Sequence, residues 1–217
     1  MKNSSFAIKV HHLIYFSSLV FLLMGCTSVK NISLVQELPQ GAALPTYPEF
    51  IIEVGDELSI YITALDPQAA APFNVETSYQ VQLDGSIDLP ILGRVDVVGK
   101  TLTEVKGLVL SLVSENLQNA FVNIYITSAS ISVLGEVRNP HKMGVSKPIS
   151  IMDAIGAAGG LTKNARYNQV EVIRTKGNKM NKYIVDLTSS ELVQSPCYYL
   201  IKGDIVNVLP KHSVLVK

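Results

Sequence analysis

The sequence predicts an α+β fold built of two small β-rich domains, each with one short packed helix. Three observations predict it. Short runs of apolar residues at every second position, bounded by Gly, Pro, Asn and Asp, recur from residue 50 to residue 210 and read as half-buried strands. Only two stretches, near 102–117 and 151–158, change to the three- and four-residue spacing of an amphipathic helix. Finally, a turn-then-strand device occurs twice, as Gly55-Asp56-Glu57-Leu58-Ser59-Ile60 and as Gly203-Asp204-Ile205-Val206-Asn207-Val208.

Taken in order, residues 1–25 carry Lys2 and Lys9 and then an apolar run from Leu13 to Leu23. Such a run suits a secretory signal and is too short to span a bilayer. It meets Leu23-Met24-Gly25-Cys26, a small residue followed by cysteine. Residues 26–48, with Pro39, Gly41, Pro45 and Pro48 and little periodicity, read as a tether. The first domain is expected over 49–128. In it Leu58, Ile60 and Ile62 alternate as a strand, and residues 64–76, with Pro67 and Pro72, read as a loop. Apolar residues at 81, 83, 87 and 89 flank Asp84-Gly85, so this stretch predicts a tight hairpin with one face of each arm in the core, closed by Pro90. Thr101-Leu102-Thr103-Glu104 fits a capping box at the head of a helix of about 17 residues, and Val122, Ile124 and Ile126 give the last strand.

The second domain is expected over 129–210, followed by a short tail, 211–217. Ile131, Val133 and Val137 bracket Leu134-Gly135-Glu136, Arg138-Asn139-Pro140-His141 turns the chain, and Met143 and Val145 alternate beyond it. Ser150 reads as the N-cap of a short helix with Ile151, Ala154, Ile155 and Ala158 on one face, stopped by Gly159-Gly160. Strands through Val170 and Val172, through Tyr183 and Val185, and through 204–210 complete it.

Composition excludes several classes. The chain balances 18 basic against 18 acidic residues, so no basic patch argues for nucleic acid. It carries no His-Glu-x-x-His, no Gly-x-Ser-x-Gly and no phosphate-binding loop; the glycines at 159–160 end a helix where such a loop would begin one. No catalytic residue, metal ligand or cofactor site is predicted, and the chain is read as no enzyme. His141 and His212 sit in turn-like surface contexts, while Asp56, Asp84 and Asp204 bond their own turns. Cys197, just before Tyr198-Tyr199-Leu200-Ile201, reads as a buried thiol without a disulfide partner.

The series Gly55-Asp56-x-Leu58-x-Ile60, then Asp84-Gly85-x-Ile87-x-Leu89-Pro90-x-Leu92-Gly93-x-Val95-x-Val97-x-Gly99-x-Thr101-x-x-Glu104, resembles the polysaccharide export domain of outer-membrane polysaccharide export lipoproteins. Val133-x-Gly135-Glu136-Val137-x-x-Pro140, Asp153-Ala154-Ile155-x-x-Ala158-Gly159-Gly160-Leu161-Thr162 and Lys202-Gly203-Asp204 resemble the soluble-ligand-binding β-grasp domain that follows it in the same family. Leu23-Met24-Gly25-Cys26 resembles the lipobox of bacterial lipoproteins, which implies Cys26 as the acylated anchor, and Thr27 after it favours the outer membrane by analogy with enteric lipoproteins. The family resemblance further implies a homo-oligomeric periplasmic ring that passes a polysaccharide chain, and an inner-membrane polysaccharide copolymerase, often a tyrosine kinase, as partner. The alternative is a saccharide-binding periplasmic lipoprotein that captures glycan without forming a channel. Channel-forming members also carry a C-terminal amphipathic helix across the membrane. Seven residues follow Pro210 here, so that span is expected from a longer chain or from another protein.

Overall fold

The computed structural model describes Leu34, Gly41, residues 43–177 and residues 179–211. Among the described residues the fold is α+β, mostly strand, with three short helices. In the first half, β1 (Glu57–Thr63) lies between β2 (Ser78–Gln80) and β5 (Phe121–Ile126), antiparallel to both. Leu58, Ile60, Ile62, Val122, Ile124 and Ile126 are all buried, as their alternation predicts. Against them packs α2 (Leu102–Ser114), through Val105, Val109 and Val113. Its capping box is formed: Glu104 N–H donates to Thr101 Oγ1 at 3.2 Å, and Thr101 N–H to Glu104 Oε2 at 2.7 Å. The helix is shorter than its apolar spacing suggests, because the chain turns at Glu115 while Leu117 remains buried beyond it.

Two expectations are corrected. The stretch 64–76 is not a plain loop but α1 (Pro67–Ala70) running into a 3-10 turn (Ala71–Asn74). Asp66 caps α1 by accepting from Gln68 N–H at 2.9 Å, and Pro67 occupies its first position. Asn74 then stands in for a strand residue: its amide donates to Ile62 O at 2.7 Å and accepts from Ile62 N–H at 2.9 Å.

The second correction concerns Asp84-Gly85. The tight turn exists, with Gly85 at φ +88°, Gly85 N–H on Gln82 O at 2.9 Å and Gln82 N–H on Ser86 O at 2.9 Å. Leu83 and Asp84 are its central residues, so Leu83 is 94% exposed instead of facing the core. The flanking segments do not form a ladder with each other. β2 is bonded to β1, and β3 (Ser86–Leu89) pairs with β4 (Gly93–Asp96) around Pro90-Ile91-Leu92. An apolar residue inside a turn has the same spacing as one in an arm, and only the hydrogen bonds separate the two.

In the second half a five-stranded mixed sheet has the order β10 (Lys179–Val185), β9 (Ala165–Lys176), β12 (Ile205–Pro210), β6 (Ser130–Gly135), β7 (His141–Gly144). β12 is parallel to β6 and antiparallel to β9, so the last strand among the described residues lies in the middle of the sheet. The backbones come very close there. A Cβ on Gly135, at φ +82°, would stand 2.1 Å from Val208 O. β8 (Ile149–Ser150) pairs with β11 (Tyr199–Leu200) and leads into α3 (Ile151–Ala157), which buries Ile151, Ala154 and Ile155. Ser150 caps α3 by accepting from Asp153 N–H at 3.0 Å. Gly159 and Gly160, at φ +80° and +81°, stop it.

Candidate functional site

The two Gly-Asp turns are alike in backbone and in side chain. Gly55 and Gly203 have φ of +85° and +83°. Asp56 N–H donates to Glu53 O at 3.1 Å while Glu53 N–H donates to Asp56 Oδ2 at 2.8 Å. Asp204 N–H donates to Ile201 O at 3.2 Å while Ile201 N–H donates to Asp204 Oδ2 at 2.8 Å. Each carboxylate thus locks the turn that launches its strand.

Their outer partners differ. Asp204 is buried and receives Arg174 by a two-pronged contact, Nε to Oδ1 at 2.8 Å and Nη2 to Oδ2 at 2.6 Å. The same guanidinium also donates to Tyr199 O at 3.0 Å and Pro196 O at 3.1 Å, and the Asp204 bonds push its pKa above the usual arginine value. Asp56 instead meets Lys202, the residue before Gly203. Lys202 Nζ contacts the Asp56 carboxylate and lies 3.0 Å from Glu53 Oε2. Ser128, between β5 and β6, accepts from Glu57 N–H at 3.0 Å and adds a 3.4 Å bond to Asp56 Oδ1. One turn therefore reaches across to the other. Nearby, Tyr47 donates to Pro148 O at 2.6 Å and sits edge-on to Tyr199 at 5.0 Å. A cavity of about 160 Å³ opens beside it, lined by Tyr47, Phe50, Leu102, Lys147 and Pro148 among others.

No constellation for covalent or acid–base chemistry lies among these groups. Asp84 accepts from Ser86 Oγ at 2.6 Å and from Arg94 Nη1 at 3.1 Å; the Ser86 bonds first, then Arg94, hold it below the usual carboxylate range. It secures a turn, as do Asp56 and Asp204. His141 is exposed, its Nδ1 2.7 Å from Asn139 O. Cys197 is a buried free thiol pushed up to about 11, chiefly by burial. Among the described residues no cluster of His, Cys, Asp and Glu could hold a metal ion, and no helix is long and apolar enough to cross a membrane. Cys26, the signal stretch 1–25, most of the tether, His212 and the tail beyond Lys211 lie outside the described residues. Sequence reasoning missed Lys202 as a bridge, since a lone lysine before a turn carries no spacing signal.

The aspartates of both halves are thus structural, each closing the turn or strand entry beside it. Comparison gives the class. Residues 44–127 match the family described as polysaccharide biosynthesis/export protein, and residues 129–208 match the SLBB domain. Polysialic acid transport protein KpsD of Escherichia coli is 28% identical over 149 residues, covering 66% of this chain and 25% of that protein. EPS I polysaccharide export outer membrane protein EpsA of Ralstonia solanacearum is 26% identical over 139 residues, covering 62% of this chain and 37% of that protein. The chain belongs to the polysaccharide export family. Members of this family are transport components, not enzymes, in agreement with the reading of the motifs. The chain spans between 25% and 37% of the length of these relatives.

Proposed function

We propose that this chain is a lipid-anchored outer-membrane component of a capsular or exopolysaccharide export channel, its copies forming a periplasmic ring that passes polysaccharide across the envelope. The observation that carries the reading is the succession of the two family matches, 44–127 and then 129–208, behind a sequence that ends its apolar leader at Gly25-Cys26. Cleavage before Cys26 and acylation of that cysteine supply the anchor. Each buried CH₂ contributes about 0.8 kcal/mol, so two or more chains hold it firmly. The polypeptide after Cys26 acts as a tether, with 49–128 the export domain and 129–210 the soluble-ligand-binding domain. A closed ring of identical subunits needs a head-to-tail interface. An inner-membrane polysaccharide copolymerase, often a tyrosine kinase in this family, delivers the chain to the ring. The test is secretion of capsule or exopolysaccharide by a deletion strain. Complementation by the full chain, and its loss with Cys26→Ala, is the expected result; normal secretion by the deletion strain overturns the reading.

A further inference from the structure

The three-stranded sheet β2-β1-β5 has two open sides. Thr127 N–H donates to Glu57 O at 2.8 Å, and Ser59↔Tyr125, Tyr61↔Asn123 and Thr63↔Phe121 follow in register. Antiparallel alternation then turns the backbone groups of Phe121, Asn123 and Tyr125 toward β1 and those of Val122 and Ile124 outward. Among the described residues nothing bonds to the outward groups. On the far side, Ile60 N–H donates to Thr77 O at 3.0 Å and Val81 N–H to Asp56 O at 2.8 Å. Tyr79, opposite Leu58, therefore faces β1, and the backbone of Ser78 and Gln80 points out.

Sheets blunt such edges with lysine, proline, a bulge or a covering helix. β5 has none of these: it is Phe-Val-Asn-Ile-Tyr-Ile, six residues without charge, in unbroken register with β1. Phe121, Asn123 and Tyr125 on its outer face are exposed. The helix does not close over it, because a cavity of about 260 Å³ lined by Thr103, Lys106, Asn123, Ile124 and Tyr125 lies between the start of α2 and the strand. An uncharged edge left open in this way is an aggregation site, so the fold calls for a partner strand.

Charge selects the partner. Lys106 is exposed beside the β5 edge. Joining β5 to β5 across a twofold axis brings that lysine toward its own image. The β2 edge carries the opposite sign: the Glu57 carboxylate receives the Ser78 hydroxyl, and exposed Glu76 lies two residues before Ser78.

We propose that the β5 edge of one copy pairs with the β2 edge of the next. The two edges are different surfaces, so the contact is head-to-tail and can propagate around a ring. β2 and β5 are both antiparallel to β1 and so run in the same direction. Rotation from copy to copy preserves that direction, and the new ladder is parallel. This deepens the ring reading and rests on it for closure.

Paired strands lie about 4.8 Å apart, within disulfide reach. Ser78 and Asn123 are exposed on the same face of the sheet, so cysteines there leave the core intact. In detergent-extracted full-length protein under mild oxidation, Ser78→Cys/Asn123→Cys gives covalent multimers, while either single variant gives none. Buried Cys197 stays out of the reaction. Lys106→Glu lowers the yield at least threefold, and adding Glu76→Lys restores it. Cross-linking by Asn123→Cys alone shows β5-to-β5 pairing and overturns the proposal. Rings seen by native mass spectrometry without cross-links overturn it while leaving the ring reading standing; monomers at every concentration overturn both.

Discussion

Gly55-Asp56 and Gly203-Asp204 launch their strands through one shared turn, yet their carboxylates answer to different cations. Asp204 faces inward to Arg174, whose side chain is 16% exposed against 0% for its own. Asp56 faces Lys202, which comes from the other turn and is 11% exposed against 13%. The same local device thus serves a core in one place and a joint in the other. Local sequence sets the turn, and the residue that arrives from elsewhere sets its job.

The largest expected effect comes from breaking the inward pair. Asp204→Ala strands a guanidinium that is mostly buried, and a loss of roughly 3–5 kcal/mol is expected in urea unfolding; a loss under 1 kcal/mol refutes the inward assignment. Next comes the thiol beside that pair. Burial pushes its pKa up to about 11 in the folded chain from an ordinary 9.0, so the unfolded chain sheds its proton first as pH rises. The contribution is whole below pH 9 and is lost on the way to about pH 11, a drop of roughly 2 kcal/mol. Lysines and tyrosines titrate there too, so the quantity to measure is wild type minus Cys197→Ala, which should shrink across this window. A flat difference removes the argument.

Lys202→Ala tests the joint. Charged hydrogen bonds of this kind contribute about 1.5–3 kcal/mol, and the change should fall on coupling, splitting one unfolding transition into two. A single transition with an unmoved midpoint counts against a linking role. Smallest is Thr101→Ala, which removes a cap remote from both turns and should cost about 1 kcal/mol without altering cooperativity. If Thr101→Ala uncouples the halves as Lys202→Ala does, the contrast between joint and core is lost.

Much of the fold was legible because its signals are local. The Thr101-Glu104 box, the Ser150 cap, the Gly159-Gly160 stop and the alternation along β1 and β5 each need only a few neighbouring residues. Asp66-Pro67 was an equally local signal, a cap followed by proline at the first helical position, and the second proline, Pro72, masked it by making 64–76 read as a loop. Leu83 misled because spacing reports a strand without saying where its turn begins. Lys202 and Arg174 were not legible as partners of Asp56 and Asp204, separated from them by 146 and 30 residues. Strand edges were invisible for the same reason: openness is a property of what fails to arrive, and no window of sequence contains that.

The position of β12 governs when the protein can become itself. Because β12 slots between β6 and β9, its pairing with β6 joins residues far apart in the chain, and such topologies assemble slowly. A polypeptide still being synthesised cannot shut that sheet until Ile205–Pro210 has emerged. Shortening it before Ile205 leaves two raw strand margins facing each other, a species that clumps sooner than it waits.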